Sequence, residues 1–235
     1  MSMDDKPDLY LTPAHPCNYL PQREASQLVA DPTFPKTPRL YSSLLAHGFR
    51  RTGKEIYMPH CDSCNSCIAV RVPVEQFVPS RAQQRTRNKN RDIRIRPLSP
   101  EYRQQHFLLY QQYLQSRHPG GGMDNPTPQD YMNFLTCQWA DTLFFEMRLH
   151  DTLAGVAVAD VLDNGLSAVY SFFDPQLHKR SLGRFAILSL IEQAKSLNLP
   201  WLYLGYWVAD CQKMNYKNEY QPLEYYIDNT WTQHE

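Results

Sequence analysis

The sequence lacks any long apolar run, internal repeat or low-complexity tract. No stretch approaches the roughly 20 apolar residues that a membrane-spanning helix needs. The first residues, Met1 to Pro7, have neither the basic region nor the apolar region of a secretory signal. These absences predict a cytoplasmic protein with no membrane partner. Hydrophobic residues make up 42% of the 235 residues and charged residues 20%, which is typical of a folded globular chain.

The formal net charge is zero, but the charges are unevenly distributed along the chain. Residues 50–96 contain 11 Lys and Arg against 4 acidic residues, whereas residues 97–235 contain 9 against 15. A basic block inside a neutral chain indicates a local anionic partner, such as a nucleic-acid backbone. A solvated basic face is the alternative.

Three of the six cysteines form the run Cys61-x-x-Cys64-x-x-Cys67. Cytosolic thiols stay reduced, so this clustering indicates a metal site rather than disulfides. Four soft ligands suit tetrahedral zinc or an iron–sulfur cluster, and the run supplies three of them. Cys17 is the natural fourth ligand, with a histidine, His15 or His60, as substitute. Free thiols are the alternative.

The pattern divides the chain into two predicted domains, residues 1–97 and 98–235. The first is smaller, partly irregular and rich in cysteine and basic residues. It has seven prolines before residue 50, a short helix near 38–47, and a strand at 68–74 that Pro73 would place at a sheet edge. Residues 79–92 have no apolar period and are expected at the surface, in a region that would recognise metal, tRNA or substrate.

The second predicted domain alternates helices and strands, so the chain is predicted to be α/β, of the α+β type. Helices are expected at 101–117 and from Thr127, separated by the glycine loop 120–122. Strands at 143–149, 153–162 and 166–173 would form an antiparallel meander with a hairpin turn at 163–165. A helix at 182–197 and a strand at 201–208 then complete a strand–helix–strand unit.

The turn before that last helix is Arg180-Ser-Leu-Gly-Arg-Phe185. It is similar to the turn with which acyl-CoA-dependent acetyltransferases hold pyrophosphate at a helix N-terminus. Phe185 occupies the position that should be Gly or Ala, and its ring would crowd the close approach of a pyrophosphate. We therefore predict an acyltransferase-like (GNAT-like) C-terminal domain that uses another acyl donor, with no CoA expected. An ordinary loop before a helix is the alternative.

A third segment, residues 203–224, combines aromatic rings with cations directly after a predicted central strand. Tyr206, Trp207 and Tyr216 offer stacking surfaces, and Lys213 and Lys217 offer positive charge. This combination suits a nucleotide end, such as the terminal adenosine of tRNA. Aromatic core packing with solvated lysines is the alternative.

Several long motifs occur in one order along nearly the whole chain: Phe49-Arg-Arg-x-Gly53, Tyr57-x-Pro-x-Cys61 with the cysteine run and Arg71-Val-Pro-Val74, Pro79-Ser-Arg81, Tyr203-Leu-Gly-Tyr-Trp-Val208, and Cys211-x-Lys-Met-x-Tyr-Lys217. Together they resemble the arginyltransferase-like aminoacyl-tRNA–protein transferases, in particular the bacterial aspartate/glutamate leucyltransferases. The resemblance implies that leucine passes from leucyl-tRNA to the α-amine of acceptor proteins beginning with Asp or Glu, which creates an N-terminal degradation signal.

The eukaryotic members of that family have a Cys-x-x-Cys near the N-terminus. Cys17 matches its first cysteine, whereas Leu20 replaces the second. The resemblance implies no cofactor for the transfer itself. The run of three cysteines keeps open zinc or an iron–sulfur cluster at the cysteine group.

An aminoacyl ester is already activated, so direct attack by the acceptor's amine needs mainly positioning and charge stabilisation. Tyrosines would position the aminoacyl end, basic residues would contact tRNA, and Arg71 or Arg81 would pair with the acceptor's carboxylate. The alternatives are an acyl-CoA-dependent N-acetyltransferase and a metal-stabilised RNA-binding module without catalysis. The predicted site residues are Tyr206, Lys213 and Tyr216 for catalysis, Arg71, Arg81, Trp207, Lys217 and Arg180 for substrate binding, and Cys17, Cys61, Cys64 and Cys67 for metal.

Overall fold

A computed structural model describes residues 6–117 and 125–233 of the protein, so the glycine loop predicted at 120–122 lies outside the described residues. The N-terminal part contains a four-stranded antiparallel sheet, order β1-β4-β6-β5, and a two-stranded ribbon, β2-β3. Thr37 caps the predicted short helix and Pro38 begins it. These elements are β1 Leu9–Leu11, β2 His15–Pro16, β3 Glu24–Ala25, β4 Gln27–Ala30, α1 Pro38–Ala46, β5 Arg50–Thr52 and β6 Glu55–Pro59.

The rest of the chain is built on one eight-stranded sheet with the order β14-β13-β7-β12-β11-β10-β9-β8. Every neighbouring pair is antiparallel except β11 and β12, which are parallel. The strands are β7 Ile68–Pro73, β8 Ile93–Leu98, β9 Asp141–Leu149, β10 Thr152–Leu162, β11 Gly165–Phe173, β12 Trp201–Trp207, β13 Glu224–Ile227 and β14 Thr230–Gln233.

Helices pack on both faces of this sheet. Successive residues of a strand point to opposite faces, so each strand contributes side chains to the core on both sides. The remaining helices are α2 Arg81–Lys89, α3 Gln104–Arg117, α4 Pro128–Leu135 and α5 Leu182–Ser196. Ala157 and Phe173 face α5, whereas Val156 and Phe172 face α3 and α4. The predicted meander, helix and parallel strand are present, so the α+β class and the predicted strand–helix–strand unit are confirmed.

One expectation about the N-terminal half differs from the structure. Strand β7 is not at an edge, because it lies between β13 and β12. Pro73 is its last residue, where a missing N–H interrupts little of the ladder. Strands β7 and β8 both begin before residue 98 and pair in the large sheet. The domain division at residue 97 stays a prediction.

The polar segment 79–92 is at the surface as expected, but it also forms the helix α2. Ser80 and Gln83 make a reciprocal capping box at its start. The helix is held by polar contacts rather than by an apolar face, because the Gln83 amide donates to the Glu219 carbonyl at 2.9 Å. No helix among residues 6–117 and 125–233 is long and apolar enough to cross a membrane.

Candidate active site

The two parallel strands of the large sheet separate after a short contact. Strand β11 pairs with β12 only over Gly165–Ser167 and Trp201–Tyr203. Beyond that point β11 has a register shift at Val169 against β10, and β12 has one at Leu204 against β7. Such bulges bend and twist the strands that carry them. A split therefore opens between the carboxyl ends of two parallel strands, which is where open α/β sheets bind ligands.

Arg50, from β5, bridges this split. Its Nη1 donates to Ser167 Oγ at 3.0 Å and its Nη2 to the Ala168 carbonyl at 2.5 Å, both on β11. On the other strand, Gly205 has φ +77°, and a Cβ there would lie 3.0 Å from Arg50 Nε. Only glycine combines that backbone conformation with room for the guanidinium. The half-buried cation is thus held by neutral groups at the point where β11 and β12 separate.

Tyr206 lies on the β12 side of the split with its hydroxyl anchored in the protein. The hydroxyl oxygen is 2.9 Å from the Gly48 carbonyl and 3.2 Å from the Tyr57 carbonyl. Burial, followed by the neighbouring Tyr57, raises the pKa of Tyr206 well above its usual value, so the phenol stays neutral. Its hydrogen bonds position β12 against the N-terminal sheet.

Lys217 is buried directly behind β12, and its Nζ donates to the Tyr206 carbonyl. Burial, followed by the positive charge of Arg50, lowers the pKa of Lys217 to about 7. A buried ammonium that cannot be paired loses its proton more readily. The structure places Lys217 behind the strand, where it supports Tyr206 rather than facing solvent.

The other predicted residues of this segment lie at its periphery. Tyr216 is half-buried, and burial, followed by Tyr113, raises its pKa to about 12. Trp207 donates from Nε1 to the Asn215 carbonyl at 3.1 Å and packs edge-on against Tyr225. Lys213 is exposed. Lys217, Tyr206 and Tyr216 all experience the charge of Arg50, so all three lie near that cation.

The two arginines predicted to bind the acceptor's carboxylate lie elsewhere. Arg71, on β7, donates from Nε to Glu224 at 2.7 Å and lies over the ring of Trp201, with its Cζ 3.7 Å from the ring centroid. Arg81 is exposed in the first turn of α2. Arg71 therefore already holds a carboxylate of its own chain, whereas Arg81 is open to solvent.

The turn before α5 is covered by the end of α2. Arg180 pairs with Asp92 through two bonds of 2.8 and 2.9 Å, and its carbonyl accepts from the Asn90 amide at 2.8 Å. Ser181 has a left-handed conformation and makes no side-chain cap. Phe185 is buried in the core beneath the helix. The turn before α5 is thus held by an ion pair to Asp92 and by the end of α2.

The predicted metal ligands lie near one another without forming a ligand set. Cys17, Cys64 and Cys67 pack around Cys211 in a small apolar cluster. The Cys61 thiol is directed to the Ser26 carbonyl. Within the described ranges no three His, Cys, Asp or Glu residues are arranged to hold a metal ion. The thiols as placed do not fit a tetrahedral ion, and metal binding stays a prediction.

Arg50, Ser167 and Gly205 lie together where β11 and β12 separate, and the sequence pattern did not single them out. Arg50 and Gly205 did lie within motifs, but nothing indicated that residues 117 positions apart, Arg50 and Ser167, would meet. One signal was present. Consecutive arginines on a short strand point to opposite faces, so Arg50 and Arg51 require different partners.

Comparison with known proteins agrees with this architecture. The family model of the arginine-tRNA–protein transferase N terminus matches residues 15–85, and that of the C terminus matches residues 105–227. A protein of Alcanivorax borkumensis named aspartate/glutamate leucyltransferase is 49% identical over 94% of this chain and 92% of its own length. One of Nitrosococcus oceani with the same name is 47% identical over 96% of this chain and 95% of its own length.

Among solved structures, a C-terminal DUF2156 domain from Agrobacterium fabrum has a TM-score of 0.48 at 10% sequence identity. That match covers 61% of this chain and 48% of that chain. The family models and the full-length relatives are decisive, because they cover both the N-terminal sheet and the split strands. The chain belongs to the arginine-tRNA–protein transferase family.

Proposed function

We infer that this chain is an aminoacyltransferase that moves leucine from leucyl-tRNA to the α-amine of acceptor proteins beginning with Asp or Glu. The observation that carries the proposal is the split between β11 and β12, with a cation, Arg50, held where the two strands separate. Family membership supplies the reaction class, and the names of the full-length relatives supply leucine and the acidic acceptor.

The protein needs to supply little covalent chemistry for this reaction. The acceptor's neutral α-amine attacks the ester carbonyl of leucyl-tRNA, an amide bond forms, and the ester bond to the terminal ribose breaks. An α-amine has a pKa of about 7.7–8.0, so a useful fraction is neutral near pH 7.5. Positioning in the split and stabilisation of the developing negative charge are the protein's contributions.

An acyl-CoA donor is disfavoured by the turn before α5. Asp92 would repel a pyrophosphate there, and the bond from Asn90 to the Arg180 carbonyl closes the approach from α2. The uncovered split needs a donor that enters from the strand ends instead. A tRNA acceptor end, with the basic surface of α2 beside the sheet, meets that requirement.

We further propose that exposed basic residues of α2, with Lys213, contact tRNA phosphates, and that the reaction occurs in the cytoplasm, where charged tRNA is found. Tyr216 and Trp207 would pack against the aminoacylated end, near the split. Arg81 is the predicted residue on α2 that is open to a phosphate.

The test is transfer of labelled leucine by the purified full chain. Leucyl-tRNA and a panel of other charged tRNAs are each combined with peptides beginning with Asp, Glu, Asn or Lys. Transfer of leucine to the Asp and Glu peptides is expected. Acetylation of the same peptides from acetyl-CoA, without leucine transfer, would establish the acetyltransferase alternative. Binding of tRNA with no transfer to any peptide would establish a non-catalytic RNA-binding module.

A further inference from the structure

We propose that Arg50 binds the side-chain carboxylate of the acceptor's first residue and thereby determines the preference for acidic N-termini. Among the described residues, Arg50 is the only arginine that is shielded from solvent and has no carboxylate within ion-pair distance. Each of the other shielded arginines has a carboxylate within ion-pair distance. These are Arg51, Arg71, Arg87, Arg103, Arg148 and Arg180.

The bonds that hold Arg50 leave its guanidinium able to bind an anion. Ser167 and Ala168 accept one N–H from each of the two terminal nitrogens. A guanidinium has five N–H donors in a planar fork, so three remain after these bonds. Because both holding groups are neutral, they orient the side chain without cancelling its charge. A carboxylate is the anion whose two oxygens match such a fork.

The titratable side chains around Arg50 do not neutralise its charge either. Burial raises the pKa of Tyr19 and Tyr57, and the nearby charge of Arg50 only partly opposes that rise, so both phenols remain neutral. Lys217 adds a second potential cation behind β12. A partly desolvated positive charge without a counter-ion is costly, and an incoming carboxylate would remove that cost.

The leucyl group of the donor offers Arg50 no carboxylate, whereas the first residue of an acidic acceptor does. The leucyl group has an apolar side chain, and its own α-amino group is repelled by a guanidinium when protonated. A phosphate of the tRNA end is the competing anion. The acceptor carboxylate is favoured because Arg50 lies where β11 and β12 separate, inside the proposed reaction site, and the first side chain is attached to the carbon that bears the attacking amine.

The test compares wild type with Arg50→Gln and with Arg39→Gln, a control in which an exposed arginine without an ion pair is removed. Binding of Asp-, Glu-, Asn- and Gln-initial peptides to the full chain is measured by calorimetry, and transfer is measured at saturating leucyl-tRNA. Arg50→Gln should weaken binding and kcat/KM for the Asp peptide about 10- to 100-fold and leave the Asn peptide nearly unchanged. Arg39→Gln should match wild type.

A second variant, Ser167→Ala, keeps the test valid if Arg50→Gln does not fold. It removes one of the two bonds that orient Arg50 and should lower the Asp-to-Asn preference about threefold to tenfold. Equal losses for the Asp and Asn peptides would overturn the proposal. So would an increased KM for leucyl-tRNA with the Asp-to-Asn ratio unchanged, which would assign Arg50 to a tRNA phosphate.

The proposal rests on the proposed function for the identity of the acceptor, and the two can fail separately. If wild type binds acidic peptides and Arg50→Gln does not, but no leucine is transferred, the carboxylate site stands and the transferase function falls. If leucine is transferred and Arg50→Gln retains the Asp-to-Asn ratio, the function stands and the carboxylate site falls.

Discussion

Arg51 and Asp160 form a buried, two-pronged ion pair, with Nε 2.6 Å from Oδ2 and Nη2 2.7 Å from Oδ1. Tyr41 and Thr142 donate their hydroxyls to the same carboxylate at 2.9 and 2.7 Å. The pair ties β5 to β10. Ser167, which accepts from Arg50, is the cross-strand partner of Asp160 on β11, so Arg50 and Arg51 bind neighbouring positions of the large sheet.

Asp160→Asn should destabilise the protein by about 3–5 kcal/mol, because it leaves the buried Arg51 charge without compensation. Urea unfolding followed by circular dichroism measures this change. Glu101→Gln, which removes the partner of the more exposed Arg103, is the matched control and should cost at most about 1 kcal/mol. If Asp160→Asn lowered the free energy of unfolding as little as the control does, Asp160 would not be compensating the buried charge of Arg51.

Lys217 should make stability depend on pH. Its pKa is about 7 in the folded protein and 10.5 as the unperturbed value. Between these pH values the unfolded chain binds one more proton than the folded chain, so stability rises with pH by up to about 1.4 kcal/mol per unit. Below about pH 7 both states bind the proton, so Lys217 no longer makes stability change with pH.

The measurement is the free energy of unfolding of wild type and of Lys217→Met between pH 6 and 9. All other titrating groups are common to both, so the difference between the two curves isolates Lys217. That difference should increase in favour of wild type as the pH rises above about 7. A difference that does not change with pH would mean that Lys217 keeps an ordinary pKa.

Much of the C-terminal architecture could be predicted from the sequence, because its elements have regular apolar patterns. The hairpin at 163–165 and the apolar period of α5 both follow from local residues. Helix α2 could not be predicted in this way, because it has almost no apolar face and depends on bonds to distant carbonyls such as that of Glu219.

The candidate site was predicted only in part. The unusual composition of residues 203–224 predicts a site directly after a central strand; Tyr206 and Trp207 are the last two residues of the inner strand β12. Arg50 was not predicted, because its function comes from the split, and the split comes from two bulges at Val169 and Leu204. Bulges depend on how neighbouring strands pair, which a single sequence pattern does not reveal.

Gly205→Ala should disturb both stability and acceptor preference. Its φ of +77° disfavours a side chain, and the new Cβ would lie 3.0 Å from Arg50 Nε. We expect a loss of about 1–3 kcal/mol in unfolding free energy and a reduced Asp-to-Asn ratio in transfer. Gly183→Ala is the control, since Gly183 is inside α5 and its Cβ would meet only the Phe173 ring at 3.2 Å. Equal acceptor ratios in both variants would refute the coupling of Gly205 to Arg50.

The exposed face of α2 should determine the affinity for tRNA. Arg81 and Arg85 are four residues apart, so they lie on one side of the helix, and neither has an ion-pair partner among the described residues. The double variant Arg81→Ala with Arg85→Ala should raise the KM for leucyl-tRNA with little change in kcat. The dependence of binding on salt should also become shallower, by about 0.7–0.9 in the log–log slope for each phosphate that the variant no longer neutralises.

A second double variant, Arg39→Ala with Lys54→Ala, removes the same charge from exposed positions on α1 and on the turn between β5 and β6. If affinity for tRNA depended only on net charge, the two variants would weaken binding equally and change the salt slope alike. A local binding surface on α2 predicts an effect confined to the first variant. Filter binding of leucyl-tRNA between about 50 and 200 mM salt separates these outcomes, because the slope reflects how many phosphates the protein neutralises.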